Sequence, residues 1–373
     1  FSFLKMSFSL KANYTDDWQR SYDARKSVLA RTRSVGGTFD HTKLLGAEKS
    51  GGRKQVRRRR DVKEPGKPIY VLALDGLRKL TGWIDPFDYG YDETYNNTLP
   101  AMSGRPSWQY RFGFKDEAEV GEVEGAAGVR TTTEGRKYNL GSGFTFLGGM
   151  VTKVKYAQSV SEDIYKQGSR YRTTSTSWPD LTIRIQKFKS FPLIKDYLNK
   201  FIDVFAPRTG YSRQVREAED IDAGFPTSRT TSKNYKPLLS ISFKVFRALS
   251  LSASYSLTEE TKEIFNPTTG DEQTTTNGTK ESIAATTKYS FSSPKGITLP
   301  IFGSVKFKST VDIEVTVRIN SEVSETKRPG ESFVPSVDKS DFLLTPVISY
   351  TFSQQMKGGL TLRWQDSNDN YRG

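Results

Sequence analysis

Val311-Asp312-Ile313-Glu314-Val315-Thr316-Val317-Arg318-Ile319 alternates apolar and polar residues without a break. Successive side chains of a β-strand point to opposite faces, so a period of two marks a strand whose faces meet different environments. The pattern begins upstream, where Val305 and Phe307 alternate with Lys306 and Lys308. Outward from this stretch the same period recurs. Leu239, Ile241, Phe243 and Val245 alternate with serines and Lys244, and Leu249, Leu251, Ala253, Tyr255 and Leu257 alternate with Ser250, Ser252, Ser254 and Ser256. Ile283, Ala285, Tyr289 and Phe291 form another run, Phe342, Leu344, Ile348, Tyr350 and Phe352 a fifth, and Leu360, Leu362 and Trp364 a sixth. One face of each strand is apolar; the other is Ser, Thr and charge.

Connection lengths add a second signal. Phe246-Arg247-Ala248 is a short link and Glu259 to Lys280 a long polar one. The link at 292–303 is shorter, Asn320 to Ser340 is long and charged, and Gln354 to Gly358 is short again. Short links alternating with long ones are expected of an antiparallel barrel with tight turns on one side of a membrane and long loops on the other. Aromatic residues at strand ends, namely Tyr255, Tyr289, Phe291, Tyr350, Phe352 and Trp364, are candidates for lipid-facing interfacial girdles. The fold expected is therefore all-β, an antiparallel transmembrane β-barrel wall with long extracellular loops and short periplasmic turns. A soluble β-sandwich alternates too, and its strands would bury the apolar face against a second sheet.

Composition narrows the chemistry. Among 373 residues there are 56 Lys and Arg, 42 Asp and Glu, one His and no Cys, a formal net charge of +14. Without Cys, and with His41 alone, Cys/His zinc sites, thiol nucleophiles, disulfides and His-based triads are excluded. The longest apolar run, Ile69 to Leu74, is far short of the roughly 20 residues of a membrane helix. An apolar share of 35% would suit a soluble protein, yet a barrel wall spends only alternate residues on lipid.

Upstream, residues 1–68 read as one strand plus an exposed basic loop over 15–67 that contains Arg57-Arg58-Arg59-Arg60. Residues 69–373 read as continuous barrel-wall hairpins with no separate globular domain, about fourteen strands in all. Tyr138–Phe146 and Val151–Val160 meet at a tight turn around Leu147-Gly148-Gly149. Residues 105–136 are ambiguous. Trp108-Gln109-Tyr110-Arg111-Phe112-Gly113-Phe114 reads as a strand, and if it spans, the order of long and short loops slips by one.

No motif carries an enzyme. The Arg57–Arg60 run lacks a nucleic-acid reading module around it and reads as a solvated loop, whose charge suits lipopolysaccharide phosphates. The Gly141-Ser142-Gly143 and Gly148-Gly149 glycines sit at a hairpin, not between a strand and a helix, and read as bend residues. Carboxylates at Asp92-Glu93, Glu259-Glu260 and Asp366–Asp369 lie at expected loop edges without a partner base. No cofactor or metal site is expected, and His41 reads as an exposed loop residue.

Several stretches resemble the SprA family, the giant outer-membrane translocon of the type IX secretion system that is also tied to gliding motility. They are Asp75-Gly76-Leu77-Arg78-Lys79-Leu80, Arg105 to Phe114, Trp178-Pro179-Asp180 followed by Phe188 to Leu198 with Pro192, Tyr235-Lys236-Pro237, and Leu344 to Ser353. In that family Trp-Pro-Asp opens a strand and a Pro-containing turn leads to a Tyr-rich return strand, so Trp178, Pro179, Asp180, Phe188, Pro192, Gly76 and Leu77 are the motif positions here. The likeness runs from about residue 69 onward. It implies a very large single-chain barrel in the outer membrane of a Gram-negative, Bacteroidetes-like bacterium. It also implies folded cargo with C-terminal targeting domains, a PorV-like partner at a lateral opening and a periplasmic plug protein. Family chains are several times longer, and this one reads as a fragment of a C-terminal region. The alternatives are a soluble or surface-anchored β-sandwich adhesin and another outer-membrane barrel of porin or lipopolysaccharide-insertion type.

Overall fold

The structure, a computed structural model, describes residues 3–19, 24–44, 82–121, 123, 130–146, 149–165, 169–186, 202–245, 248–299, 303–351 and 357–370. Their order is β1 (Leu4–Gln19), β2 (Ala24–Phe39), α1 (His41–Leu44), β3 (Phe87–Met102), α2 (Trp108–Arg111), β4 (Thr131–Phe146), β5 (Met150–Tyr165) and β6 (Arg170–Ile185). Then come β7 (Ile202–Phe205), β8 (Arg208–Asp220), β9 (Phe225–Val245), β10 (Leu249–Phe265), β11 (Glu272–Leu299), β12 (Gly303–Lys327), β13 (Val334–Thr351), β14 (Lys357–Thr361) and β15 (Trp364–Asp369). The expected all-β, antiparallel architecture is what the chain adopts. Most strands are long: β1 to β6 have 16 residues each and β11 has 28. A transmembrane strand requires about 9–11 residues.

Two compact units divide the chain, Phe1–Phe146 with Lys153–Tyr171, and Leu147–Thr152 with Arg172–Gly373. In the first, β1, β2, β3 and β4 pair in sequence order, each antiparallel to the next. In the second, β8 to β13 do the same; β7 shares β9 with β8, and β14 and β15 both pair β13. The sixth alternating run is thus split into two strands. Pro346 is the cause. It stands opposite Leu362, accepts that residue's N–H at 3.0 Å and has no N–H to return.

Three sequence expectations are corrected. Residues 15–67 are not one loop, since β1 continues to Gln19 and β2 fills 24–39. The long connections at Glu259–Lys280 and Asn320–Ser340 are mostly strand: β10 and β11 run on to a turn at 266–271, and β12 and β13 to one at 328–333. Glu259-Glu260, Asp92-Glu93 and Asp366–Asp369 are therefore strand residues, of β10, β3 and β15. Both faces of these extensions are polar, so hydrophobic alternation stops although Thr-rich backbone keeps its strand preference. Thr276 and Thr326 hydroxyls meet at 3.1 Å across one such extension, and the turn is closed where the Asn266 side chain accepts from Thr268 N at 2.8 Å.

The third correction is Trp108–Phe114, which is no strand. Pro106 and Ser107 set the start of α2, where the Ser107 hydroxyl accepts from Tyr110 N at 3.4 Å. Gly113, at φ +74°, stops it, and Phe114 N turns back to Gln109 O at 2.8 Å. Aromatics at alternate positions imitate a strand, while Ser and Gly decide otherwise. With α2 in place, β3 joins β4 through a single connection at the same end as the β1–β2 turn, and no extra crossing arises. That connection folds onto β1 to β3 and makes a small core of Leu29, Tyr95, Leu99, Met102, Tyr110 and Ala118, edged by Tyr14.

Candidate functional site

The register of β9 to β13 converts the alternating sequence into a surface. Leu239, Tyr255, Ile283, Ile319 and Phe342 form one row across the five strands. Ile241, Ala253, Ala285, Val317 and Leu344 form the next on that face, then Phe243, Leu251, Thr287, Val315 and Pro346. Val245, Leu249, Tyr289, Ile313 and Ile348 follow, then Phe291, Val311 and Tyr350, beyond which the β11–β12 register shifts. From Ile319 to Val311, strand steps of roughly 3.4 Å amount to about 27 Å, or about 20 Å in height at the usual barrel tilt. Most of these side chains are half-buried; Leu239, Ile283, Tyr289, Ile319 and Ile348 are exposed, as is Trp364 beside them at 63%, while Val311 is buried.

One border of the belt is sharp. Past the Tyr255 row the same face turns to Leu257, Glu281, Ser321 and Ser340, and the strands continue as polar hairpin. Tyr255 and Phe342 stand on that border, and Trp364, one row inside, meets Phe342 edge-on at 5.7 Å. Tyr289 and Phe291 stack at 5.5 Å toward the other end, in the rows shared with Ile313, Val311 and Tyr350. Of the six girdle candidates, Tyr255 stands at the polar border, Trp364 one row inside it, and Tyr289, Phe291 and Tyr350 in the two rows before the β11–β12 register shift; Phe352 lies outside the described residues.

The reverse face is mostly polar, with Ala284, Leu343 and Val347 set among its hydroxyls and charges. Thr286 and Thr316 hydroxyls pair at 3.2 Å, Ser282 donates to Asn320 at 2.8 Å and Ser290 to Asp312. Lys280 meets Glu322 at 2.8 Å. A groove of about 330 Å³ opens there, lined by Lys236, Ser256, Lys280, Asn320, Glu322 and Lys339 among others. Nothing in it pairs a nucleophile with a base. Among the described residues no group of His, Asp and Glu is placed to hold a metal, and no helix is long and apolar enough to cross a membrane.

The first unit has the same two faces. Leu4, Met6, Phe8 and Leu10 share a side with Phe39, Val35, Phe87, Tyr89, Tyr91, Leu140 and Tyr138. Phe8 is 70% exposed. The next row, Leu10, Arg33, Glu93 and Arg136, is charged, and beyond it the connection carrying α2 covers this face. Arg31 is the clamp. Its buried guanidinium reaches Asp116, Glu93 at 3.2 Å and the Gly113 carbonyl at 3.4 Å, and lies 5.0 Å from the Tyr95 ring centre. The Tyr95 hydroxyl donates to Asp116 O at 2.8 Å. Burial, with Tyr95 and Tyr14 beside it, pushes the Tyr110 hydroxyl well above the ordinary tyrosine pKa, so it stays neutral. Sequence reasoning missed this clamp because its members lie 62 to 85 residues apart.

The family-motif positions are not brought together. Trp178, Pro179 and Asp180 lie inside β6, with a cis Trp178-Pro179 bond, and do not open a strand. Gly76, Leu77, Phe188 and Pro192 lie outside the described residues, as does Arg57–Arg60. His41 begins α1, half-buried, its ring 5.8 Å from Phe87.

No protein-family model matches the sequence, and no curated protein matches it. Solved structures similar to the chain include two bacterial receptors. The siderophore receptor PiuA from Acinetobacter baumannii is 9% identical, with a TM-score of 0.35 over 98% of this chain and 60% of the receptor. BauA, the ferric preacinetobactin receptor from the same organism, is 9% identical, with a TM-score of 0.34 over 96% of this chain and 60% of its own. The chain spans 60% of the length of each receptor.

Proposed function

We propose that this chain is wall of an outer-membrane β-barrel in a Gram-negative bacterium, and that it works as a passage and not as an enzyme. The observation that carries the reading is the apolar face in register across β9 to β13, exposed on one side and backed by Ser, Thr and charge. A soluble sandwich would cover that face with a second sheet; here Leu239, Ile283, Ile319 and Ile348 stay exposed. Water suits the other face, whose side chains satisfy one another in hydroxyl and ion pairs.

Within that reading, the resemblance to the SprA family favours a protein-secretion conduit. A wide aqueous lumen uses small polar side chains where a narrow barrel would need bulky ones to fill it. Folded cargo with C-terminal targeting domains, a PorV-like partner and a periplasmic plug are the partners this entails, with lipid and lipopolysaccharide outside. The test is depletion of the protein in its own cell. Cargo with C-terminal targeting domains should accumulate in the periplasm while other outer-membrane proteins assemble normally. Unchanged secretion would refute the conduit and leave the barrel standing.

A further inference from the structure

The connection between β3 and β4 carries an aromatic group that the barrel wall does not use. Tyr110 points into the core, and the other three aromatics of the segment point away from it. Trp108, Phe112 and Phe114 are 56%, 62% and 58% exposed, with Trp108 6.4 Å from the Phe112 ring and 6.2 Å from that of Phe114. Three large rings left in water on one short segment are costly, and a contiguous exposed apolar patch of this kind marks an interaction surface.

Placement identifies the occupant. Tyr14, Leu29, Arg31 and Tyr95, which the segment covers, have the same phase on β1 to β3 as Met6, Phe8 and Leu10. The segment therefore lies on the apolar side of the sheet. It also begins where the apolar stretch ends, since a Cβ on Gly113 would stand 3.1 Å from the Ala12 Cβ, two residues beyond Leu10. Rings at that height, on that side, meet the layer where Trp and aromatic residues gather at membrane–water boundaries. The Arg31 contacts to Gly113 and Asp116 hold the segment down, so the rings are set in place before any lipid arrives.

We infer that Trp108, Phe112 and Phe114 form an interfacial anchor that seats the β3–β4 connection in the headgroup layer of the bilayer. The inference rests on the barrel reading, and its occupant is lipid, not a protein. Arg105, on the same segment, lies 3.7 Å from the Asp16 carboxylate yet is 60% exposed at its side chain, which leaves guanidinium surface for the phosphates of that layer.

These 373 residues contain no cysteine, so with any cysteine elsewhere in the protein replaced by serine, single labels report single sites. Trp108→Cys, Phe112→Cys and Phe114→Cys, each in the full-length protein, are spin-labelled in vesicles of phosphatidylethanolamine and phosphatidylglycerol. The ratio of collisions with oxygen to collisions with a nickel chelate reports depth. Phe8→Cys on the apolar face and Ser9→Cys on the polar face are the references. All three aromatic sites should give ratios several-fold above Ser9→Cys and below Phe8→Cys. If they match Ser9→Cys while Phe8→Cys reads as lipid, the anchor is refuted, the barrel survives and the rings are a protein-docking patch. If Phe8→Cys itself reads as water, the barrel reading falls and takes the anchor with it.

Discussion

Arg31 shows how one side chain can organise a segment remote from it in sequence. Its charge is buried, yet Asp116 is half in solvent, so breaking the clamp costs less than emptying a sealed ion pair. Arg31→Ala should destabilise the first unit by about 1.5–3 kcal/mol, the scale of hydrogen bonds to charged groups. Urea unfolding in detergent checks this, and the loss should be accompanied by protease cleavage between 103 and 121. Gly113 is the second control point. At φ +74°, with Arg31 and Ala12 packed against it, Gly113→Ala should cost about 1–2 kcal/mol from the left-handed backbone alone. Tyr110→Ala should cost about 3–5 kcal/mol, as for other large buried rings. None of this was legible in the sequence. The aromatic alternation of Trp108 to Phe114 pointed to a strand, and only Ser107 and Gly113 hinted at a capped turn, because a long-range contact to Arg31 leaves no local pattern.

At the level of the element, the strands were legible wherever their two faces differ. Val311 to Ile319 announced β12 because apolar and polar residues alternate there, and the register then aligned four neighbours with it. The polar ends of β10 to β13 were not legible, since a strand wet on both faces has no hydrophobic period. The two halves of β12 should respond differently to charge. Val315, in the middle row of the belt, should resist Val315→Arg at a cost of roughly 2–4 kcal/mol for a lipid-facing site near midplane. Thr316→Arg, one residue on, should be tolerated, as should Val323→Arg on the same phase as Val315 but beyond the belt. Folding yields into detergent or lipid, measured by urea titration, compare the three. Equal penalties at 315 and 323 would contradict the position of the border.

Over the whole molecule, the sequence conveyed fold class and two-faced strands, while the proposed role as a secretion conduit is carried only by the resemblance. The polar face of β9 to β13 offers hydroxyls, lysines and carboxylates along its groove. The central claim is that one face of this sheet meets lipid and the other water. Single cysteines at each position from Val311 to Ile319, in the protein reconstituted into vesicles, can be challenged with a hydrophilic maleimide that reacts only in water. Asp312, Glu314, Thr316 and Arg318 positions should label, and Ile313, Val315, Val317 and Ile319 positions should stay protected, giving a period of two. Labelling at every position, or protection without that period, would contradict the account.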